Sequence, residues 1–269
     1  MSQPKPAKRL TELPPYPFEE IDKKKAAARE RGVDLIDLGV GDPDRPTPTH
    51  IVDAMAEAIR DPEQHPYPPY RGSDKFRQSV AAYMKRRFEV ELDANKEVLA
   101  LIGSKEGIAH LSLALVNPGD VVLVPDPAYP VYASSAEFLG AEAVTMPLKR
   151  EHDFLPKLSD IPSDQAKRAS VLWVNYPNNP LGAVAPRSFY EELAEFADEN
   201  DLIVASDNAY AEIYLDGEPP LSALQIPKLR ERVVEFHSLS KTFNMTGWRV
   251  GFACGTDWVV GALGTVKTN

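Results

Sequence analysis

Val233-Val-Glu-Phe-His-Ser-Leu-Ser-Lys241-Thr-Phe-Asn-Met-Thr-Gly-Trp-Arg249-Val-Gly-Phe-Ala-Cys254 consists of two apolar runs with a polar, lysine-bearing segment between them. The runs at 233–236 and 249–254 have the length and the β-branched and aromatic content of strands. Between them, Lys241 stands among Ser238, Ser240 and Arg249. Two hydroxyls and a guanidinium suit an oxyanion such as phosphate, and a lysine amine can bond covalently to an aldehyde. That pairing points to a phosphate-bearing carbonyl cofactor such as pyridoxal phosphate, whose enzymes use a lysine Schiff base. Read alone, the string is equally a polar loop leading into a strand.

Outward from this segment, short apolar runs alternate with amphipathic ones. Strands are predicted at 98–102, 121–124, 143–146, 170–175 and 202–205. Helices are predicted at 108–116, 131–139 and 257–266, and after Pro186, where Phe189, Leu193, Phe196 and Ala197 form a stripe. Pro186 is assigned to the first turn of that helix, where proline is tolerated. Asn117-Pro-Gly-Asp120 reads as a turn. Nearer the N-terminus, residues 1–18 form a proline-rich arm, and Thr49 is assigned as the cap of a helix with Ile51, Val52, Met55 and Ile59 on one side. A further helix starts near Ser73, with Phe76, Val80, Met84 and Phe88 on one side. The alternation predicts an α/β fold of three αβα layers, a mostly parallel sheet covered on both faces. Ligands of such sheets bind beyond the carboxyl ends of the strands.

The composition excludes several functions. Forty acidic against 30 basic residues give a net charge of −10, and no long basic block exists, so nucleic acid is not expected as a partner. The run Lys23-Lys24-Lys25 reads as a solvated helical face. The single cysteine, Cys254, lies in an apolar string and reads as a buried structural thiol in a reducing compartment. With no Cys or His cluster, no zinc site is expected. No segment has the apolar length of a membrane span, and the N-terminus lacks the apolar core of a signal peptide. A cytoplasmic protein without membrane partners is expected.

Three more strand ends carry unusual polar residues. Gly103-Ser104-Lys105-Glu106-Gly107 follows the 98–102 strand and enters a helix, whose free N–H groups suit an anion; an ordinary serine cap is the alternative. Tyr176-Pro-Asn-Asn-Pro-Leu-Gly182 follows the 170–175 strand and presents Asn179 on an irregular loop, every residue of which also suits a plain turn. Ser206-Asp-Asn-Ala-Tyr210 follows the 202–205 strand. An aspartate there is costly unless paired, with metal ligation or capping as the alternatives.

With Gly39-Val-Gly-Asp-Pro-Asp44 and Asp126-Pro-Ala-Tyr-Pro130, these strings resemble the class I/II aminotransferases of the pyridoxal-phosphate-dependent fold type I superfamily, from about residue 38 onward. Within that family the likeness is greatest to members acting on LL-diaminopimelate, with alanine- and aspartate-acting members as alternatives. The resemblance implies transfer of an amino group between an amino acid and a 2-oxo acid. It assigns Lys241 as the Schiff-base lysine and the base that moves a proton at the substrate's α-carbon. A lysine of ordinary pKa, about 10.4, is protonated at neutral pH, so the site must make it neutral when it acts. Asp207 is assigned to the pyridine nitrogen, Tyr210 and Asn179 to the phenolic oxygen of the ring, and Tyr129 to its face. Ser104, Lys105, Ser238, Arg249 and, more loosely, Ser240 are assigned to the phosphate.

The resemblance further places Gly41 and Asn179 near the substrate carboxylate and Tyr67 on the phosphate of a neighbouring subunit, implying a homodimer with shared sites. Tyr70, Arg71 and Asn244 are near-site candidates for which surface or packing roles stay open. Residues 1–45 then form an arm with part of a small domain, and 46–269 form the cofactor-binding large domain, truncated at its C-terminal end. Family members are longer, and the arginine that pairs with the substrate α-carboxylate has no counterpart in this sequence. The chain is therefore expected to be a piece of a longer enzyme. A pyridoxal-phosphate β-lyase, or a chain that binds the cofactor without turnover, is the alternative.

Overall fold

The computed structural model describes residues 5–11, 17–39, 41–215 and 217–269. The chain divides into two compact units, Met1–Asp44 and Arg45–Asn269. The first contains helices α1 (Lys8–Thr11) and α2 (Pro17–Glu30). Within it Lys23 and Lys24 are exposed, whereas Lys25 Nζ pairs with Asp22 at 2.6 Å and Asp37 at 3.1 Å. The basic run is thus only partly a solvated face. Much of the arm expected over 1–18 falls outside the described residues, and Lys8–Thr11 within it is helical.

The second unit begins with α3 (Thr49–Ala58), α4 (Asp74–Phe88), β1 (Val98–Leu101), α5 (Ser104–Leu115), β2 (Val121–Asp126), α6 (Val131–Glu137) and β3 (Glu142–Pro147). It continues through α7 (Ser163–Arg168), β4 (Ala169–Val174), α8 (Arg187–Glu199), β5 (Ile203–Asp207), β6 (Val233–Ser238), α9 (Leu239–Thr242), β7 (Gly251–Gly255) and α10 (Asp257–Thr268). The strands form one seven-stranded sheet in the order β1-β7-β6-β5-β4-β2-β3. From β3 to β6 all pairs are parallel, and β7 runs antiparallel to both β6 and β1.

That reversal positions the opening segment. Leu101, which ends β1, and Ser238, which ends β6, both register with Gly251, which begins β7. The chain entering β7 therefore meets the same edge of the sheet that β1, β5 and β6 reach on leaving it.

Period-two alternation divides the core between the two faces. Val121, Leu123, Leu172, Val204 and Phe252 pack with Met84 and Phe88 of α4 and with Phe189 and Leu193 of α8. Val122, Val124, Trp173, Ala205 and Phe236 pack with Ile108 and Leu111 of α5, Tyr132 of α6, and Val260 and Leu263 of α10. This is the three-layer arrangement the alternation predicts, and Cys254 is buried in it.

Three local expectations are corrected. Pro186 is the N-cap of α8, not a residue of its first turn; its ψ of 163° is extended, which the proline ring also permits. Thr49 is the first helical residue of α3, and Pro48 precedes it without a side-chain cap. The stripe of α3 is not core, since Val52, Met55 and Ile59 are all exposed. Ser73 does cap α4, accepting from Phe76 N at 3.2 Å. No helix among the described residues is long and apolar enough to cross a membrane.

Candidate active site

The loop after β1 and the loop before β7 meet at Gly103 and Arg249. Gly103 adopts φ 74° and ψ 154°, a region open in practice only to glycine. A β-carbon there would stand 2.5 Å from Arg249 Nη2, so a side chain would displace the guanidinium. Arg249 Nη1 donates to Ser240 Oγ at 3.4 Å and to the Thr246 carbonyl at 2.8 Å. Gly251 brings the strands equally close, since a β-carbon there would lie 2.8 Å from the backbone nitrogen of Ser104. A guanidinium, a hydroxyl and the first amides of α5 thus share one corner, a combination suited to a dianion.

Asp207 ends β5 and is buried. Its Oδ2 accepts from the Tyr132 hydroxyl at 2.6 Å, and its backbone carbonyl accepts from Asn175 Nδ2 at 2.7 Å. Its Oδ1 is buried and has no hydrogen-bond partner among the described residues. Burial pushes the carboxyl pKa up to about 6, against the opposing pull of the Tyr132 hydrogen bond, the nearby Ala209 amide dipole and His237. A buried acceptor without a donor is costly, and a cationic N–H would satisfy it. Among the described residues no group of His, Cys, Asp and Glu side chains could hold a metal ion, so the metal reading of Asp207 finds no further ligands.

Asn175 ties this strand end to the next loop. Its Oδ1 accepts from the Asn179 amide at 2.8 Å. The Asn179 side chain faces the Tyr210 hydroxyl and acts on it electrostatically. Burial, then the Asp207 charge, pushes that hydroxyl up to about 12, against the pull of Asn179. Lys241, on α9, places Nζ 6.0 Å from the centroid of the Tyr210 ring. On the other flank, Lys105 Nζ lies 5.9 Å from the Tyr129 ring centroid, and the Tyr129 and Tyr132 rings meet edge to face at 5.8 Å.

These contacts close into a circuit. It runs from Lys105 through Tyr129, Tyr132 and Asp207 to Asn175, Asn179, Tyr210 and Lys241, then along α9 to Ser240, Arg249, Gly103 and Ser104. Ser238 ends β6 and registers with Gly251, which begins β7. Nine of the residues singled out in the sequence therefore lie along one chain of contacts: Ser104, Lys105, Tyr129, Asn179, Asp207, Tyr210, Ser240, Lys241 and Arg249.

Others stand apart. Tyr67 and Tyr70 are exposed outside the circuit. Arg71 has a packing role, donating to the carbonyls of Lys96 at 2.8 Å and Val98 at 3.4 Å. Asn244 holds φ 54°, and its carbonyl accepts from Thr47 Oγ1 at 2.7 Å. Gly41 belongs to the 1–44 unit.

Two features escape a sequence reading. Tyr132, three residues beyond Tyr129, reads only as part of a helix. Glu235 lies inside an apolar strand and is fully buried. It accepts from His237 Nε2 and Ser222 Oγ, each at 2.8 Å, from the Ala223 amide at 2.9 Å, and from Ser206 Oγ and Asn208 Nδ2, each at 3.2 Å. Burial raises its pKa, but these donors, His237 foremost, hold it below the usual carboxylate range. Ser206 and Asn208 flank Asp207, so this hub braces the strand end from behind.

The pattern of one family, described as aminotransferase class I and II, matches residues 33–269. A protein of Aquifex aeolicus named LL-diaminopimelate aminotransferase is 58% identical over 261 residues, covering 97% of this chain and 67% of that protein. A substrate-bound structure of BacF from Bacillus subtilis superposes with a TM-score of 0.93 at 36% identity, covering 98% of this chain and 67% of that one. A probable N-succinyldiaminopimelate aminotransferase from Thermus thermophilus superposes with a TM-score of 0.87 at 41% identity, covering 93% and 67%.

Proposed function

Since the chain belongs to the class I and II aminotransferases, we propose that its circuit of strand-end residues holds pyridoxal phosphate and serves amino-group transfer between LL-diaminopimelate and a 2-oxo acid. In the biosynthetic direction the acceptor is tetrahydrodipicolinate and the donor glutamate. The carrying observation is the buried, unpartnered Oδ1 of Asp207 on the same circuit as Lys241. That oxygen suits the protonated nitrogen of the cofactor ring. The Gly103–Arg249 corner, with Ser104, Lys105, Ser238 and Ser240, suits the phosphate. Asn179 and Tyr210 suit the phenolic oxygen, and Tyr129 suits the ring face.

When bound, pyridoxal phosphate supplies an aldehyde that condenses with amines and a ring that takes up the electron pair released at the α-carbon of the amino acid. The residues of this chain do the rest. Asp207, ionised, keeps the ring nitrogen protonated. Its burial lowers the local dielectric and strengthens that pairing. Lys241 Nζ moves the proton at the α-carbon of the substrate, a general-base step that calls for its neutral form. Tyr210 and Asn179 donate hydrogen bonds that orient the ring. A homodimer in a cytoplasmic setting completes the proposal. Tyr67, Val52 and Met55 of α3, and Ile59 just after it, are exposed in the isolated chain, and exposed apolar surface of this kind suits a subunit contact.

The test loads the chain with pyridoxal phosphate and adds LL-diaminopimelate, alanine or aspartate in separate reactions. Visible absorbance and 2-oxo acid release are followed. LL-diaminopimelate bleaches the loaded protein, and Lys241→Ala abolishes both the absorbance and the bleaching. Bleaching by alanine or aspartate alone would reassign the substrate, and release of ammonia with pyruvate would make the protein a lyase.

A further inference from the structure

We propose that Tyr132 is a positioning residue for the cofactor ring: its hydroxyl occupies one oxygen of Asp207 and so presents the other, ionised, to the ring nitrogen. The inference rests on the pyridoxal phosphate reading of the site.

Three observations carry it. First, the Tyr132–Asp207 bond is short, at 2.6 Å, and both residues are buried. A neutral hydroxyl has one proton to donate, so it engages Oδ2 and leaves Oδ1, which has no partner among the described residues. A hydrogen bond donated to the charged form favours that form, countering the burial that opposes it. Second, the phenol is held rigidly. Its ring stacks on Trp173 at 4.6 Å with the planes 11° apart, and Trp173 leans on Phe236 at 5.6 Å. Trp173 registers with Ala205, two residues before Asp207 on the neighbouring strand, so the stack and the carboxylate share one rigid frame. Third, Tyr132 lies three residues beyond Tyr129, the residue assigned to the face of the ring, and the two aromatic rings touch at 5.8 Å. The start of α6 would therefore govern both the face of the cofactor ring and, through Asp207, its nitrogen edge.

The experiment titrates the wild type, Tyr132→Phe and Tyr132→His with two probes. One is 4′-deoxypyridoxine 5′-phosphate, which cannot bond covalently to Lys241. The other is its analogue with the ring nitrogen replaced by C–H. Tyr132→Phe keeps an aromatic ring for the stack and loses only the donor. It is expected to weaken binding of the nitrogen probe about 10-fold while changing the carbon probe by less than about twofold, because one hydrogen bond to a charged group contributes on this scale. Tyr132→His restores a donor and recovers part of the loss. Equal weakening of both probes, or weakening of neither, would overturn the positioning role. Wild-type protein that binds neither probe would instead overturn the cofactor reading beneath it. Should the Phe variant not fold, the His variant carries the comparison: its preference for the nitrogen probe must exceed that of Tyr132→Leu.

Discussion

Gly103 and Arg249 are so close that a side chain on Gly103 would displace the guanidinium: a β-carbon there would lie 2.5 Å from Nη2 and 3.1 Å from Cζ. Gly103→Ala therefore has two effects. It forces alanine into a glycine-only backbone region, at about 1–3 kcal/mol. It also pushes the guanidinium away from Ser240 and the start of α5. The stability loss is read from denaturant midpoints. Pyridoxal phosphate affinity is expected to fall at least about 10-fold, since charge-assisted bonds at that corner are lost. Unchanged affinity with lowered stability would separate Gly103 from the ligand corner and leave it a purely conformational residue.

Asp207 is predicted to reduce the stability of the ligand-free protein at neutral pH. Its carboxyl pKa rises from 3.8 to about 6, so between those values the native state binds more protons than the unfolded one. Stability consequently falls as pH rises through that window and stays low above it. The charges and dipoles facing the carboxyl are those of Tyr132 on α6, the Ala209 amide and Tyr210 beyond β5, and His237 on β6. Asp207→Asn should flatten this limb and make the ligand-free protein more stable above pH 6, by about 1–3 kcal/mol at about 1.4 kcal/mol per pKa unit. Urea unfolding at pH 4, 5 and 7 measures it. The same variant should bind pyridoxal phosphate more weakly, a loss of function that accompanies a gain in stability. Lower stability than wild type at pH 7 would contradict the assigned cost.

Much of this was legible locally. The strings around Ser104, Asn179, Asp207 and Lys241 sit at strand ends, and a polar cluster directly after an apolar run can be seen without coordinates. What local patterns do not contain is pairing. Nothing in the residues near Leu101 or Ser238 says that both register with Gly251, yet that register delivers Arg249 to the site. Periodicity likewise located α3 but not what its stripe faces, since a 3.6-residue period reports a face and not its cover. Tyr132 and Glu235 stayed hidden for a third reason. Tyr132 meets Asp207 from 75 residues away, and apart from His237, two residues on, the donors to Glu235 come from other segments, 12 to 29 residues distant.

Glu235 is the residue whose loss should damage the fold most. Removing the carboxylate in Glu235→Ala leaves the Ala223 amide, the Ser222 and Ser206 hydroxyls, Asn208 Nδ2 and His237 Nε2 without their shared acceptor. Leaving several buried donors without their acceptor costs about 1–3 kcal/mol for each group left unsatisfied. Equilibrium urea unfolding of the ligand-free protein should show a loss of that order. Glu235→Gln keeps one acceptor oxygen and should fall between the two. A loss below about 1 kcal/mol for the alanine variant would mean that water replaces the carboxylate and that the hub does not brace Asp207.

Arg249→Lys separates charge from geometry at the phosphate corner. The side chain is exposed, so the substitution should change stability by no more than about 0.5 kcal/mol. Its backbone φ of 56° is unusual for any residue with a β-carbon, and lysine bears the same strain there as arginine. What lysine lacks is the planar fork that reaches Ser240 Oγ and the Thr246 carbonyl together. Lysine retains the positive charge but loses that orientation, so the affinity for pyridoxal phosphate should fall about 10-fold. If the corner acted only as a charge, the variant would bind as the wild type does, and raising the salt concentration would weaken both equally. The expected result is a gap between the two that persists at high salt, because a directional bond is screened less than a bare exposed charge.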